Sequence, residues 1–138
     1  MPSIRPLGYP IHQKVLKNGL HVIVAPDHAA PLVAVNLWYD VGSRDEVAGL
    51  TGFAHLFEHL MFQGSANVES GDHLRSMQSV GGQVNATTWF DRTNYFELVP
   101  TGALDLALWL EADRLATLAD CLTQENLAHA AGISRNQV

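Results

Sequence analysis

The sequence predicts an α+β fold with a mainly antiparallel sheet and helices packed on one side of it. Asn18-Gly19, between two apolar runs, is the strongest two-residue signal for a hairpin. A second pair of strand-like runs flanks Asp91-Arg92. The segments with helical periodicity lie between and after these strand pairs, which is typical of α+β folds. The 138 residues, 47% of them hydrophobic, are enough for one modest domain with a real core.

Strands are predicted in the first part of the chain. Residues 1–11 are expected to be an irregular lead-in with three prolines. The hairpin follows, with Val15-Leu16 as one arm and 20–24 as the other. Residues 32–41 are largely apolar and rich in β-forming side chains, so they predict a strand. His21 alternates with apolar neighbours in the hairpin, which indicates a solvent-facing residue rather than a ligand.

Two helices are predicted in the middle of the chain. The first covers 52–62, with Thr51 as its N-cap, and its many bulky apolar side chains predict burial. The second covers 70–80 and carries His73 between charged neighbours, so we expect that histidine on an exposed face.

The strands 83–90 and 93–99 are followed by a long helix that starts at Thr101 or Gly102. A last helix is predicted from about Gln124. The long helix has an apolar stripe at helical spacing. Its members are Leu104, Leu108, Leu115 and Leu118.

Three charged residues interrupt the long helix: Glu111, Asp113 and Arg114. Their spacing favours an intrahelical ion pair on a solvated edge over a catalytic role.

Composition excludes several classes of function. The net charge is -6 and no basic run occurs, so no nucleic-acid partner is expected. Cys121 is the single cysteine, which rules out an internal disulfide or a thiolate zinc site and favours an inert buried thiol. No signal peptide and no bilayer-spanning run is visible, so a soluble, cytoplasmic protein without membrane contact is expected.

His55-Leu56-Phe57-Glu58-His59 is the most informative segment. On a helix, residues four apart share a face, so the two imidazoles lie one above the other with Glu58 on the same side. Two neutral imidazoles can hold zinc, and a carboxylate beside it can take a proton from the activated water. The pattern is the inverted zinc-protease motif H-x-x-E-H. An ordinary half-exposed helix face is the alternative interpretation.

The sequence resembles the M16 (pitrilysin, insulinase and mitochondrial processing peptidase) metallopeptidases over roughly residues 14–127. The matching segments are Lys17-Asn18-Gly19-Leu20, Val41 to Glu46, Gly52 to Ser65, Gly81 to Thr88, and then Asp91, Thr93, Tyr95 and Pro100. The resemblance implies a partial domain of the processing-peptidase type. It divides 1–138 into a lead-in (1–13), a family-like part (14–127) and a divergent tail (128–138).

Activity and site residues follow from this resemblance. It implies a zinc-dependent endopeptidase that cleaves extended peptides, with His55 and His59 as zinc ligands and Glu58 as the general base. Asn85 and Ala86 resemble the edge strand on which an extended substrate pairs through its main chain. A structural turn or bulge is the alternative role for Asn85. A second M16 domain or subunit is an expected partner.

The third zinc ligand is where the pattern departs from the family. A catalytic zinc site needs three protein ligands and an open position, and Gln137 occupies the place of the family's ligand glutamate. Glu111 and Glu125 remain alternatives. The resemblance stops after Leu127, which suggests a truncated or frame-shifted reading, and we expect little peptidase activity from this polypeptide alone.

Two other functions remain open beside the peptidase. One is a non-catalytic M16 homologue that acts as a peptide-binding or assembly subunit. The other is a chance zinc-binding helix in a structural domain. Substrate identity, cleavage preference and oligomeric state are not readable from the sequence.

Overall fold

The computed structural model describes residues 8, 10–49 and 51–123. The chain divides into two compact units, residues 1–31 and 32–138. The predicted last helix, Glu125 and Gln137 lie outside the described residues, as do the side chains of 119–123.

The first unit contains the predicted hairpin. Strands β1 (His12–Val15) and β2 (His21–Val24) are antiparallel, and the backbone N–H of Leu16 donates to the carbonyl of Leu20 at 2.9 Å. Gly19 has a φ of +90°, a left-handed conformation that favours glycine. His21 is exposed, as predicted.

The second unit contains the remaining elements, with short 3₁₀ helices before α1 and α3. In chain order they are β3 (Leu32–Tyr39), a 3₁₀ helix (Ser43–Asp45), α1 (Phe53–Leu60), α2 (Asp72–Ser79), β4 (Gln83–Thr88), β5 (Thr93–Pro100), a 3₁₀ helix (Thr101–Ala103) and α3 (Leu104–Thr123). The three strands form an antiparallel sheet in the order β3-β5-β4. The predicted α+β class with an antiparallel sheet is confirmed.

One face of this sheet is covered by the helices. Alternate residues of β3 are buried or half-buried while those between them are exposed, which is the period-2 pattern of a one-sided sheet. The core on the covered face has two parts. One is built from Val68, Met77, Val99, Ala103, Ala107 and Leu110, and the other from Tyr39, Ala86 and Tyr95.

The predicted apolar stripe of α3 is wrong at Leu108, which is 48% exposed. The buried face carries Ala107 and Leu110 together with Glu111 and Arg114. The sequence did not predict this buried face, because a pattern of apolar residues assigns charged side chains such as Glu111 and Arg114 to the solvent side.

None of the helices in the described ranges has the length and apolarity needed to cross a bilayer.

Candidate active site

The N-terminus of α1 is capped by Glu46. Its carboxylate accepts hydrogen bonds from the backbone N–H groups of Gly52 and Ala54, both at 2.9 Å. A negative charge at a helix N-terminus also interacts favourably with the helix dipole. The predicted cap, Thr51, is wrong: the N-cap is Gly52, which has no side chain to supply an acceptor. An acidic residue six positions before the N-cap was the signal in the sequence.

The loop that carries Glu46 is attached to the turn between β4 and β5. The backbone N–H groups of Ser43 and Arg44 donate to the carbonyls of Trp89 and Phe90 at 3.0 and 2.9 Å. A Cβ atom at Gly42 would lie 2.3 Å from the Trp89 carbonyl oxygen, so only glycine fits there. The start of α1 is therefore connected, through the loop that carries Glu46, to the turn between β4 and β5.

His55 and His59 lie together on the exposed side of α1. Their Nε2 atoms are 3.1 Å apart and their ring centroids 4.6 Å apart. Both side chains are exposed, and so are Leu56 and Leu60. The predicted burial of this helix is wrong, since Glu58 is its one buried residue. The spacing prediction is correct in that the helix brings both imidazoles to one place.

Glu58 faces the sheet and is 8% exposed. Its Oε2 atom accepts a short hydrogen bond from the Thr88 hydroxyl, at the end of β4. A buried carboxylate without a donor would be costly, so this bond accounts for how Glu58 is accommodated. The contact joins residues 30 positions apart, and nothing local in the sequence indicates it.

The histidine pair fits a zinc ion. Nitrogen ligands held about 2.05 Å from a tetrahedral ion lie about 3.3 Å apart, close to the 3.1 Å between the two Nε2 atoms. No described carboxylate joins the pair as a third ligand: within 10–49 and 51–123, the one cluster of three metal-binding side chains excludes both histidines. Glu111 belongs to that other cluster.

The other cluster consists of His73, Glu97, Glu111 and the adjacent Arg114, all buried. His73 Nε2 lies 2.6 Å from Glu97 Oε1, and Arg114 Nη2 lies 2.6 Å from Glu111 Oε1. Arg114 Nη2 is also 3.0 Å from His73 Nε2 and 3.9 Å from Glu97 Oε1. The guanidinium thus occupies the space that a metal ion would need.

Two aromatic rings pack on the buried charge cluster (His73, Glu97, Glu111 and Arg114), and its burial shifts the pKa of Glu111. The guanidinium of Arg114 lies over the rings of Tyr95 and Phe62, at 4.5 and 5.2 Å from their centroids. Burial raises the pKa of Glu111 to about 8, with Arg114 opposing the shift and Glu97 adding to it. The predicted exposure of His73, Glu111, Asp113 and Arg114 is wrong, although the predicted pair of Glu111 with Arg114 is present.

Asn85 and Ala86 lie on β4, which is one of the two edge strands of the described sheet. The Trp89 N–H donates to the Arg92 carbonyl at 2.8 Å, so these two residues form a hydrogen-bonded pair. Hydrogen-bonded and non-hydrogen-bonded pairs alternate along an antiparallel ladder, so the pair of Ala86 with Tyr95 is non-hydrogen-bonded. The backbone N–H and C=O of Ala86 therefore point away from β5. The Ala86 N–H donates at 2.8 Å to the side-chain oxygen of Asn85.

Comparison with known proteins agrees with this geometry. The profile of the family described as insulinase (peptidase family M16) matches residues 21–135, which include all of α1. The chain belongs to the M16 peptidase family. The predicted resemblance is therefore confirmed.

Individual M16 relatives show how much of a family member the chain represents. The zinc protease PqqE of Helicobacter pylori is 39% identical over 111 residues, covering 79% of this chain and 25% of the relative. The crystal structure of a protease from Helicobacter pylori matches with a TM-score of 0.74 and 37% identity, over 77% of this chain and 26% of that one. The crystal structure of pitrilysin matches with a TM-score of 0.72 and 28% identity, over 78% of this chain and 12% of pitrilysin. The chain spans about a quarter of the length of these two Helicobacter pylori proteins.

Proposed function

We propose that this M16 chain carries the central part of a zinc endopeptidase site, with His55 and His59 as metal ligands and Glu58 as the general base. The observation that supports the proposal most directly is the 3.1 Å separation of the two Nε2 atoms, together with the buried, hydrogen-bonded carboxylate of Glu58 on the same helix. The names of the M16 relatives, which include a zinc protease, support zinc as the metal.

A zinc ion, when bound, would polarise the scissile carbonyl and lower the pKa of water in the site to about 7. His55 and His59 must be neutral at Nε2 to bind it, so protonation of either imidazole competes with the metal. Glu58 lies one residue before His59 and would take the proton of the attacking water, then give it to the leaving amine.

The edge of β4 is proposed to bind the substrate as an added strand. Ala86 presents its backbone N–H and carbonyl away from β5, and main-chain pairing tolerates varied side chains. The Asn85 side chain now accepts the bond from the Ala86 N–H, so a substrate carbonyl would replace it there.

A complete catalytic site requires a third ligand that the described residues do not bring to the histidine pair. We propose that this polypeptide alone has little peptidase activity and that catalysis uses a second M16 domain or subunit.

Zinc stoichiometry tests the proposal. We expect purified chain to bind one zinc ion per molecule, and His55→Ala to abolish the binding. His21→Ala is the matched control, because His21 is also exposed but lies on the hairpin. Equal zinc content in wild type and His55→Ala would reject the metal assignment.

The alternative function is a non-catalytic peptide-binding or assembly subunit, favoured because no third metal-binding side chain among the described residues joins His55 and His59. Metal-free chain that binds extended peptides as tightly as zinc-loaded chain would favour it over the peptidase.

A further inference from the structure

We propose that Thr88 is the positioning residue for Glu58, holding one carboxylate oxygen so that the other is presented to the reacting water. The inference rests on the proposed function and adds a residue that neither the motif nor the family resemblance assigns to the reaction.

The first observation is the hydrogen bond itself. Thr88 donates its hydroxyl proton to Oε2 of Glu58, across the contact between α1 and β4. Oε1 of Glu58 makes no hydrogen bond within the described part of the chain, and it is absent from the fully buried atoms that lack a partner. One oxygen is thus held and the other is available.

The second observation is that Thr88 is itself held in place. It is the last residue of β4 and pairs across the ladder with Thr93. Thr93 is buried, and its hydroxyl donates to the carbonyl of Val41 at 3.1 Å, leaving its oxygen 3.4 Å from that of Thr88. A β-branched side chain on a paired strand has few χ1 options, so the donor is fixed before any ligand binds.

The physical reason for such a residue is the freedom of a glutamate side chain. Three rotatable bonds separate its carboxylate from the backbone, and ordering them costs conformational entropy. A general base must lie within hydrogen-bond reach of the proton it removes. A strand-borne hydroxyl that orders the carboxylate in advance removes that cost from the reaction.

Thr87, the neighbour on the same strand, provides a matched control. Its hydroxyl donates to Asn94 Oδ1 at 2.6 Å and accepts from the Arg92 guanidinium at 2.6 Å, with no contact to Glu58. Successive side chains of a strand point to opposite faces, so the same substitution at 87 and 88 changes opposite sides of the sheet.

The experiment uses chain labelled with ¹³C at glutamate carboxyl groups. Loss of a resonance in Glu58→Gln assigns the Glu58 signal, which is then followed by NMR without zinc and during zinc addition. We expect the wild-type signal to shift on zinc addition. Thr88→Val should move the metal-free signal toward that of an exposed glutamate and lose the zinc-dependent shift, while Thr88→Ser should restore both and Thr87→Val should change neither.

Circular dichroism and thermal unfolding separate positioning from a merely structural role. If Thr88→Val does not fold, Thr88→Ala replaces it, since both lack the hydroxyl. A folded, hydroxyl-free variant with the wild-type Glu58 signal and zinc response overturns the inference, whatever its stability. Absence of zinc binding in wild type would instead overturn the proposed function, and the metal-free comparison would still report the hydrogen bond.

Discussion

Among the described residues, His55 and His59 form one group of metal-binding side chains and the buried charge cluster forms another, and only the histidine pair is open. His55 and His59 point their nitrogens at each other on an exposed helix face. The buried charge cluster has a histidine and two carboxylates with ligand atoms within 4.8 Å of one another, but Arg114 supplies a positive charge in their midst. The right ligand types lying close together are therefore not enough to make a metal site. A metal site also requires that no side chain already neutralises the donors.

Arg114→Met has the largest expected effect. Above about pH 8, where Glu111 is ionised, the substitution leaves Glu97 and Glu111 buried without their permanent counter-charge, and breaking a buried ion pair in this way costs about 3–5 kcal/mol. Urea denaturation measures the loss. Arg75→Met is the control, because Arg75 pairs with Asp72 at the surface and should change stability by less than about 0.5 kcal/mol. Similar losses in both variants would contradict the role given to Arg114.

The pH dependence of stability reports on the buried charge cluster through Glu111. Glu111 has a folded-state pKa raised from 4.5 to about 8, so the folded chain holds a proton that the unfolded chain releases between these values. The free energy of unfolding should therefore fall as pH rises from about 4.5 to 8.

Glu111→Gln tests the source of that slope, because the neutral amide has nothing to deprotonate. Urea denaturation at several pH values between about 4.5 and 8 should show a flatter profile for the variant. A variant with the wild-type slope would show that another group is responsible.

His73→Leu sharpens the comparison at the level of metal binding. It removes the partner of Glu97 Oε1, and a buried acceptor left without its donor costs about 1–3 kcal/mol. Zinc stoichiometry should remain that of wild type, since the guanidinium already fills the cluster. A drop in zinc content to the level of His55→Ala, in folded protein, would mean that the buried cluster is the metal site.

Glu46→Ala has the smallest expected effect. It removes the acceptor for two N–H groups at the start of α1 and should cost about 1 kcal/mol, the usual value of a helix cap. Thermal unfolding measures it, with the exposed Glu69→Ala as control. A change no larger than that of Glu69→Ala would show that the loop, rather than the cap, sets the helix.

The features that sequence predicted are those encoded locally. Asn18-Gly19 gave the hairpin because its turn chemistry is contained in two residues. The meeting of His55 and His59 follows from helical spacing alone. Neither needs information about the rest of the chain.

The features that sequence missed are those created by distant partners. His73 is buried because Glu97 and Arg114, 24 and 41 positions away, satisfy it. Thr88 reaches Glu58 only after α1 packs on β4. A pattern of apolar residues assigns charged side chains to solvent, so it cannot reveal a core that contains a neutralised charge group.

Zinc K-edge X-ray absorption of the zinc-loaded chain tests the central claim most directly. The account predicts two imidazole nitrogens at about 2.0–2.1 Å from the metal, with the imidazole signal lost in His59→Ala and unchanged in His21→Ala. A spectrum without histidine scattering, or one that survives His59→Ala intact, would contradict it.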